Sequence, residues 1–208
     1  SATAKYKRNT LMKVVVIKYN AGNIQSVLFG LERIGVQATV SDDPEQIITS
    51  DKVIFPGVGE ASTAMKYLSE RNLDKVISSL HQPVLGICLG MQLMCKHSEE
   101  NNTPCLGIFE DVKVKKFDRA KKNLKVPQIG WNNITGLKTA LFKSIEANSY
   151  CYYVHGYYAE LSKHTIATSD YGKLYSAALN KDNFFGVQFH PEKSAAIGEI
   201  ILKNFLAL

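Results

Sequence analysis

Residues 83–92 read PVLGICLGMQ, and this stretch decides the fold. The run from Val84 to Ile87 is short and apolar, as in a buried strand, and the residues after Gly90 have the apolar pattern of a helix. Cys88 lies between the two. A sharp strand-to-helix turn exposes its central side chain at the carboxyl edge of a sheet, and the helix N-terminus favours a thiolate there. The stretch predicts an α/β fold with Cys88 as a nucleophile, although a buried cysteine beside a tight turn is an alternative.

The chain before this turn alternates strand and helix patterns. Strands are predicted at residues 14–17, 36–40 and 52–55. A helix follows the Asn20-Ala21-Gly22 turn and closes at Gly35. Buried strands that alternate with helices indicate βαβ units and a mostly parallel central sheet that is flanked by helices on both faces.

The second half of the chain has a different pattern. The helix after Cys88 is predicted to run through MQLMCK, residues 91–96. Short segments rich in Val, Tyr, Thr and Phe then predict strands, partly antiparallel, at residues 111–116, 150–154, 157–161, 165–169, 175–180 and 183–187. A final helix is predicted at 195–206. We expect one domain over residues 12–208, preceded by an N-terminal extension, residues 1–11.

Composition narrows the class of protein. The chain has 208 residues, 45% hydrophobic and 21% charged, which is ordinary for a soluble globular protein. No apolar run is long enough for a membrane span, and no signal peptide is visible. The net charge of +6 is weak evidence for nucleic acid, because no binding motif accompanies it. The basic cluster at 113–125 indicates either a solvated surface or one that faces an acidic or phosphorylated partner.

The four cysteines predict neither a disulfide framework nor a metal centre. Cys88, Cys95, Cys105 and Cys151 form no C-x-x-C pair, and no histidine cluster has zinc spacing. Free thiols are typical of a reducing cytoplasm, so a cytoplasmic protein is expected, with no metal.

A base for the thiol is predicted in the segment GVQFHPE, residues 186–192. A strand ends near His190, and Glu192 follows two residues later, with Pro191 between them. A carboxylate at this position can accept the Nδ1 proton of the imidazole and leave Nε2 facing the thiol. The three residues Cys88, His190 and Glu192 therefore predict a catalytic triad.

A third element is the glycine turn PGVG, residues 56–59, after a buried strand. Acyl transfer generates an oxyanion that needs backbone N–H donors. The Gly57–Val58 turn and the N–H of Leu89 are the candidates for this oxyanion hole. The alternative is a simple turn that ends a strand. It is not a phosphate loop, since the chain lacks the G-x-x-x-x-G-K-[ST] pattern.

These three motifs, PGVG, GICLGMQ and GVQFHPEKS, occur in the order and spacing that resemble class I (triad) glutamine amidotransferases. Within that superfamily, the segments YNAGN (19–23), PQIGWN (127–132), YVHGYY (153–158) and Lys193-Ser194 most resemble the glutaminase subunits of imidazole glycerol phosphate synthase, from histidine biosynthesis. The match departs from the family at Lys18, Asn20 and Gly156, which leaves some glutamine and partner contacts open.

The resemblance implies a single-domain class I glutamine amidotransferase fold that hydrolyses L-glutamine through a cysteinyl thioester, without a cofactor. It implies that glutamine binds above Cys88, near Gln92 and the Gly156–Tyr157 backbone. Ammonia would pass to a separate cyclase subunit in a heterodimer. Trp131, expected in a turn among polar residues, and Lys193 are the candidate interface residues, with a buried core position as the alternative for Trp131.

Three other functions stay open at this point. The chain could be the glutaminase of another amidotransferase, such as pyridoxal phosphate synthase or anthranilate synthase. It could be a freestanding cysteine hydrolase that acts on γ-glutamyl bonds. It could also be a catalytically inactive binding module on the same fold, although the complete set of triad residues argues against that.

Overall fold

The structure, a computed structural model, describes residues 11–20, 23–121 and 123–208. The expected N-terminal extension, apart from Leu11, lies outside the described residues. So do Ala21 and Gly22 of the predicted turn and Lys122 of the basic cluster.

The first half of the chain alternates strands and helices, as predicted. In order, these are β1 (Val14–Ile17), α1 (Ile24–Arg33), β2 (Thr39–Ser41), α2 (Pro44–Thr49), β3 (Lys52–Phe55), α3 (Ala61–Glu70), α4 (Leu73–Ser78), β4 (Val84–Ile87) and α5 (Leu89–Leu93). The chemistry of the caps explains where two of the helices begin. Asp43, directly before Pro44, accepts a hydrogen bond from the Glu45 N–H. The Glu60 carboxylate accepts from the Ser62 and Thr63 N–H groups in the first turn of α3.

The second half contributes most of the antiparallel pairing. Its elements are β5 (Cys95–Ser98), β6 (Thr103–Pro104), β7 (Phe109–Lys116), β8 (Gln128–Asn133), β9 (Tyr150–His155), β10 (Tyr157–Ala159), β11 (Thr165–Asp170), β12 (Leu174–Lys181), β13 (Phe184–Val187) and α6 (Ala195–Leu206). The predicted strands after residue 150 and the final helix are confirmed. Two short 3-10 turns, Ala140–Phe142 and Pro191–Lys193, complete the described elements.

One large sheet organises the domain, in the order β2-β1-β3-β4-β13-β12-β10-β7-β5-β6, with β11 paired to β12. The strands from β2 to β13 are parallel, and every residue of β1, β3, β4 and β13 is buried. Alternate residues of these strands enter separate apolar clusters on the two faces of the sheet. The predicted α/β fold is confirmed, and it brings the carboxyl ends of β3, β4 and β13 together.

Two local predictions were wrong. The helix after Cys88 ends at Leu93, and Cys95 and Lys96 belong to β5, because this segment pairs in parallel with β7 and the Phe109 N–H donates to the Met94 carbonyl. Trp131 lies in strand β8 rather than in a turn, because residues 128–133 pair with β9 as an antiparallel hairpin. Both errors concern long-range pairing, which overrides local pattern.

Candidate active site

The turn between β4 and α5 holds Cys88 in a conformation that few residues other than glycine adopt, with φ 55° and ψ −111°. Close packing explains the flanking glycines. A Cβ on Gly90 would overlap the Phe55 carbonyl oxygen, and a Cβ on Gly86 would lie 2.8 Å from the Met91 nitrogen. The Cys88 N–H donates to the Val187 carbonyl at 2.8 Å, which ties the turn to β13. The sulfur is thus presented at the carboxyl edge of the sheet.

The structure brings the other two predicted triad residues to this edge. Nδ1 of His190 lies 2.7 Å from Oε1 of Glu192, and both side chains are buried. Nε2 of His190 has no hydrogen-bond partner among the described residues. Burial lowers the pKa of His190, but the adjacent Cys88 sulfur and the Glu192 carboxylate raise it, and the balance lies at about 10. The site therefore favours an imidazolium beside the sulfur.

The main chain around His190 is held by hydrogen bonds from β9. The His190 N–H donates to the Tyr152 carbonyl at 2.9 Å. The Ser194 hydroxyl donates to the His190 carbonyl at 2.6 Å and accepts from the Tyr152 N–H at 2.9 Å. Ser194 stands at the N-cap of α6, where a serine usually caps the helix, but its hydroxyl makes no capping bond. Sequence reasoning missed this role, because Tyr152 is distant along the chain.

The Glu192 backbone is held from the opposite side by α1. The Arg33 guanidinium donates to the Glu192 carbonyl at 2.7 Å. A Cβ on Gly30 would lie 2.8 Å from the Glu192 Cβ, so a glycine is needed for α1 to approach this closely. The carboxylate is therefore fixed by its own backbone as well as by the imidazole.

The predicted oxyanion donors are not all free in this arrangement. The Leu89 N–H donates to the Gly57 carbonyl at 3.2 Å, in contrast to the expectation that it is available to a ligand. The Tyr19 hydroxyl donates to the Pro56 carbonyl, and a Cβ on Gly57 would overlap that hydroxyl. The glycine turn is thus held by the Tyr19 hydroxyl, and the Gly57 carbonyl of the turn points at the N-terminus of α5.

A cleft of about 240 Å³ opens beside Cys88, a size that fits a small metabolite. It is lined by Val58, Gly59, Cys88, Leu89, Gln92, Glu100, Pro127, Val154, His155, Gly156 and Tyr157. The three residues predicted to bind substrate, Gln92, Gly156 and Tyr157, are therefore brought together with the sulfur. Glu100 was not predicted. The pKa of Glu100 is raised overall. Burial and the nearby Glu60 carboxylate raise this pKa by more than the hydrogen bond from the Ala61 N–H lowers it.

The chain is similar to known proteins over almost its entire length. The family model described as "Glutamine amidotransferase class-I" matches residues 15–208. The chain belongs to the class I glutamine amidotransferase family. The amidotransferase is 57% identical over 197 residues to the imidazole glycerol phosphate synthase subunit HisH of Bacteroides fragilis strain YCH46, covering 95% of this chain and 100% of that protein. It is 53% identical, with the same coverage, to the HisH subunit of Bacteroides thetaiotaomicron.

Solved structures share the fold of the amidotransferase. A putative GMP synthase protein from Thermoplasma acidophilum superposes with a TM-score of 0.71 at 18% identity and covers 95% of this chain and 94% of its own. A second structure, described as a glutamine amidotransferase, gives a TM-score of 0.70 at 17% identity and covers 93% and 97%. At such identities the likeness concerns the fold, and it confirms the class I glutamine amidotransferase architecture.

The two predicted interface residues of the amidotransferase lie on its surface beside this site. Trp131 is 53% exposed on the outer face of the β8–β9 hairpin, edge-on to Tyr152, with Ile129 and Tyr150 exposed on the same face. Lys193 is exposed in the 3-10 turn after His190. The outer face of the hairpin is apolar, while its inner face packs on the core.

A group of possible metal ligands lies away from the cleft. Glu110, Asp111 and His164 come together at the surface, but Glu110 already pairs with Lys163 and with Lys181, at 3.1 and 2.9 Å. The two ammonium groups neutralise the carboxylate that a cation would need. This group does not contribute to the site at Cys88.

Proposed function

We propose that the amidotransferase is the glutaminase subunit of imidazole glycerol phosphate synthase, in histidine biosynthesis. It hydrolyses glutamine to glutamate and ammonia, and it passes the ammonia to a cyclase subunit with which it forms a heterodimer. The observation that carries the proposal is the 57% identity to a HisH subunit along that protein's entire length, together with the Cys88 cleft. Glutaminases of the pyridoxal phosphate or anthranilate synthase type are not favoured by these relatives.

The proposed chemistry uses Cys88, His190 and Glu192 as the triad. The Cys88 thiolate attacks the side-chain carbonyl carbon of glutamine, and the imidazolium of His190 gives its Nε2 proton to the leaving nitrogen, which departs as ammonia. The neutral imidazole then takes a proton from water, whose oxygen attacks the thioester, so that glutamate leaves and the thiolate and the imidazolium are restored. Glu192 keeps the Nδ1 proton in place and balances the charge on the imidazole.

The cleft suggests how glutamine is oriented. Gln92 uses its amide N–H groups on the Tyr157 carbonyl and on Gln188, at 3.0 and 2.8 Å, so its Oε1 remains for a ligand. Glu100 adds a carboxylate to the same cleft. An acceptor oxygen and a carboxylate suit the α-ammonium group of the amino acid, and the Gly156–Tyr157 backbone contributes beside them.

The proposed oxyanion hole needs one rearrangement. The Gly57 carbonyl occupies the Leu89 N–H, as described above. If the Gly57–Val58 peptide turns over, the Val58 N–H replaces that carbonyl and the Leu89 N–H is released. Both could then stabilise the negative charge on the substrate oxygen. Gly57 carries no side chain that would oppose this rotation.

The partner surface is proposed to be the outer face of the β8–β9 hairpin, with Trp131 as the anchor and Lys193 as an ion-pairing residue. The domain is proposed to span residues 12–208, which encloses the matched residues 15–208. Each helix of the described ranges is too short or too polar to cross a bilayer. We place the enzyme in the cytoplasm, where the cyclase substrate would be made.

One experiment tests the function. Glutamate release from glutamine is measured with the full chain alone, with the purified cyclase, and with the cyclase plus its nucleotide ligand. We expect a large rise with the cyclase and none with the synthase subunit of the pyridoxal phosphate enzyme. If the cyclase neither binds nor raises the rate, the chain is a different amidotransferase or a freestanding γ-glutamyl hydrolase.

The nucleophile is tested in the same assay. Cys88→Ala should abolish hydrolysis and leave the fold intact, and a diazo-ketone analogue of glutamine should label Cys88 alone. Burial raises the pKa of Cys105 and Cys151 to about 12 and that of Cys95 well above its ordinary value, so these thiols stay protonated and unreactive. Labelling that persists in Cys88→Ala would remove the assignment. Glutamine binding without any turnover would indicate an inactive binding module.

A further inference from the structure

Gln188 is a buried polar residue beside the nucleophile that the proposed mechanism does not use. It follows β13 directly and is 0% exposed. Its main chain is fixed, because its N–H donates to the Ala177 carbonyl at 2.8 Å. Its side-chain nitrogen Nε2 lies 3.6 Å from the Cys88 sulfur, and its Oε1 lies 2.8 Å from Nε2 of Gln92. Burying an amide has a cost in free energy, so its contact with the proposed nucleophile suggests a function in the reaction.

The hydrogen-bond network determines which end of the Gln188 amide faces the sulfur. The Tyr157 carbonyl has no proton and can only accept, so the Gln92 atom 3.0 Å from it must be the nitrogen. That nitrogen gives its second N–H to Gln188, and the Gln188 atom that receives it must therefore be the oxygen. Nε2 of Gln188 is left pointing at Cys88. The direction thus follows from a backbone carbonyl three groups away.

We propose that Gln188 is a further catalytic residue, whose amide N–H donates to the Cys88 sulfur and stabilises the thiolate that attacks the substrate. The proposal rests on the glutaminase function given above and adds a residue to it. A second contact at the sulfur has the opposite preference, because the Val154 carbonyl, 3.5 Å away, can only accept the proton of a thiol. Gln188 and Val154 thus favour the two protonation states of Cys88 from two sides.

Several ionisable groups surround the sulfur and are unchanged by a substitution at Gln188. His190 follows β13, two residues after Gln188. Tyr19 follows β1, and its pKa is raised by burial first and by the nearby Cys88 second. Glu100 lines the cleft from the segment after β5. A change in the titration of Cys88 upon substitution of Gln188 therefore reports the loss of the amide donor.

The test is the rate at which iodoacetamide alkylates Cys88 as a function of pH, in the full chain. This reagent is small and neutral and does not depend on glutamine being the substrate. Gln188→Met keeps the length of the side chain and removes the donor. We expect the midpoint of the alkylation profile to rise by about one pH unit, the scale of one hydrogen bond to a charged group, and the rate at neutral pH to fall about tenfold. Gln188→Glu should raise the midpoint further.

Two controls separate this role from simpler ones. Gln82→Met removes an amide that donates to the Ile47 and Ser50 carbonyls at 2.9 and 3.1 Å, far from the cleft, and should leave the profile unchanged. Gln92→Met should raise the KM for glutamine and, because it removes the donor that orients the Gln188 amide, should move the midpoint by no more than Gln188→Met does. If Gln188→Met raises KM but leaves the midpoint unchanged, Gln188 only supports Gln92 and the proposal is wrong.

The proposal and the proposed function fail independently. An unchanged midpoint in Gln188→Met, with Cys88-dependent glutamine hydrolysis intact in the unmodified chain, overturns the role of Gln188 alone. A shifted midpoint in a chain that hydrolyses no glutamine supports the contact and overturns the glutaminase. A kcat that falls with the midpoint shift, at constant KM, supports both.

Discussion

Cys88 and His190 meet at one edge of the sheet, but the chain around each is held by different means. The Cys88 turn is held against the central strands, by the hydrogen bond from its N–H to the Val187 carbonyl and by packing so close that Gly86 and Gly90 leave no room for a Cβ. The His190 end is held by β9 and Ser194, through the hydrogen bond from its N–H to the Tyr152 carbonyl and the hydrogen bond from the Ser194 hydroxyl to its carbonyl. The central strands are buried along their entire length, whereas β9 belongs to a hairpin whose outer face is exposed.

This difference links His190, the proposed base, to the proposed partner surface. Tyr152 bonds to His190 and Ser194 through its backbone, and its ring lies against Trp131 on the outer face of the hairpin. The Cys88 turn is tied instead to the central strands β13 and β3. A partner that docks on the hairpin therefore acts on the base more directly than on the nucleophile turn.

The largest expected effect comes from removing the proposed base, His190. His190→Ala should lower kcat by roughly 10⁴-fold, and Glu192→Gln by roughly 10²-fold, since the second change alters the orientation of the imidazole without removing it. Steady-state glutamine hydrolysis measures both. Full activity in Glu192→Gln would mean that the carboxylate 2.7 Å from Nδ1 does not serve the reaction.

In the Cys88 turn, a substitution at Gly90 is expected to lower the stability of the fold. Gly90→Ala should lower the free energy of unfolding by about 3 kcal/mol or more, because the added carbon would lie 2.8 Å from the Phe55 carbonyl carbon and neither main chain can move easily. Denaturant unfolding measures this. The matched control is Gly156→Ala, whose Cβ would meet nothing closer than 3.8 Å and should leave stability almost unchanged. Equal losses in the two variants would contradict the role of packing.

The partner face gives the third prediction. Trp131→Ala should weaken cyclase binding by about 2 kcal/mol, roughly 30-fold in Kd, because a half-exposed tryptophan is a typical anchor. The melting temperature of the free subunit should hardly change, since Trp131 is already 53% exposed there. Calorimetric titration and thermal unfolding decide it. A lowered melting temperature with normal affinity would assign Trp131 to the core.

The smallest effect is expected at Ser194, which holds the main chain around His190. Ser194→Ala removes both hydroxyl contacts and should lower kcat about tenfold, about 1.4 kcal/mol, at nearly constant KM. The control is Ser176→Ala, which also loses buried hydroxyl bonds, to the Glu160 carbonyl and to Thr165, but far from His190. It should lose similar stability and keep its kcat. A kcat lowered equally in both variants would indicate a general loss of stability only.

The sequence predicted the features that depend on neighbouring residues. The turn at Cys88 and the helix at 195–206 follow from local pattern, since glycines and apolar spacing determine them within a few positions. The family resemblance extended this to the order of the motifs. The fold and the family were therefore accessible before any coordinates.

Features that depend on distant strands were missed. Residues 95–96 have a helical pattern but pair with β7, and Trp131 lies in a strand because β9 is opposite it. The engagement of the Leu89 N–H by Gly57 and the contact of Gln188 with the sulfur join residues that are 32 and 100 positions apart. No local periodicity encodes such contacts, so they emerge only when the sheet is assembled.

The position of β13 also has a consequence for synthesis of the chain. This strand lies between β4 and β12, so the inner edge of β4 stays unpaired until residues 184–187 have left the ribosome. At roughly 5–20 residues per second, Cys88 waits on the order of ten seconds for its neighbour strand and for His190, its proposed base. During that interval the nascent chain exposes an apolar strand edge, which is prone to wrong pairing. A translation product that stops before residue 190 therefore carries the thiol but lacks the proposed base.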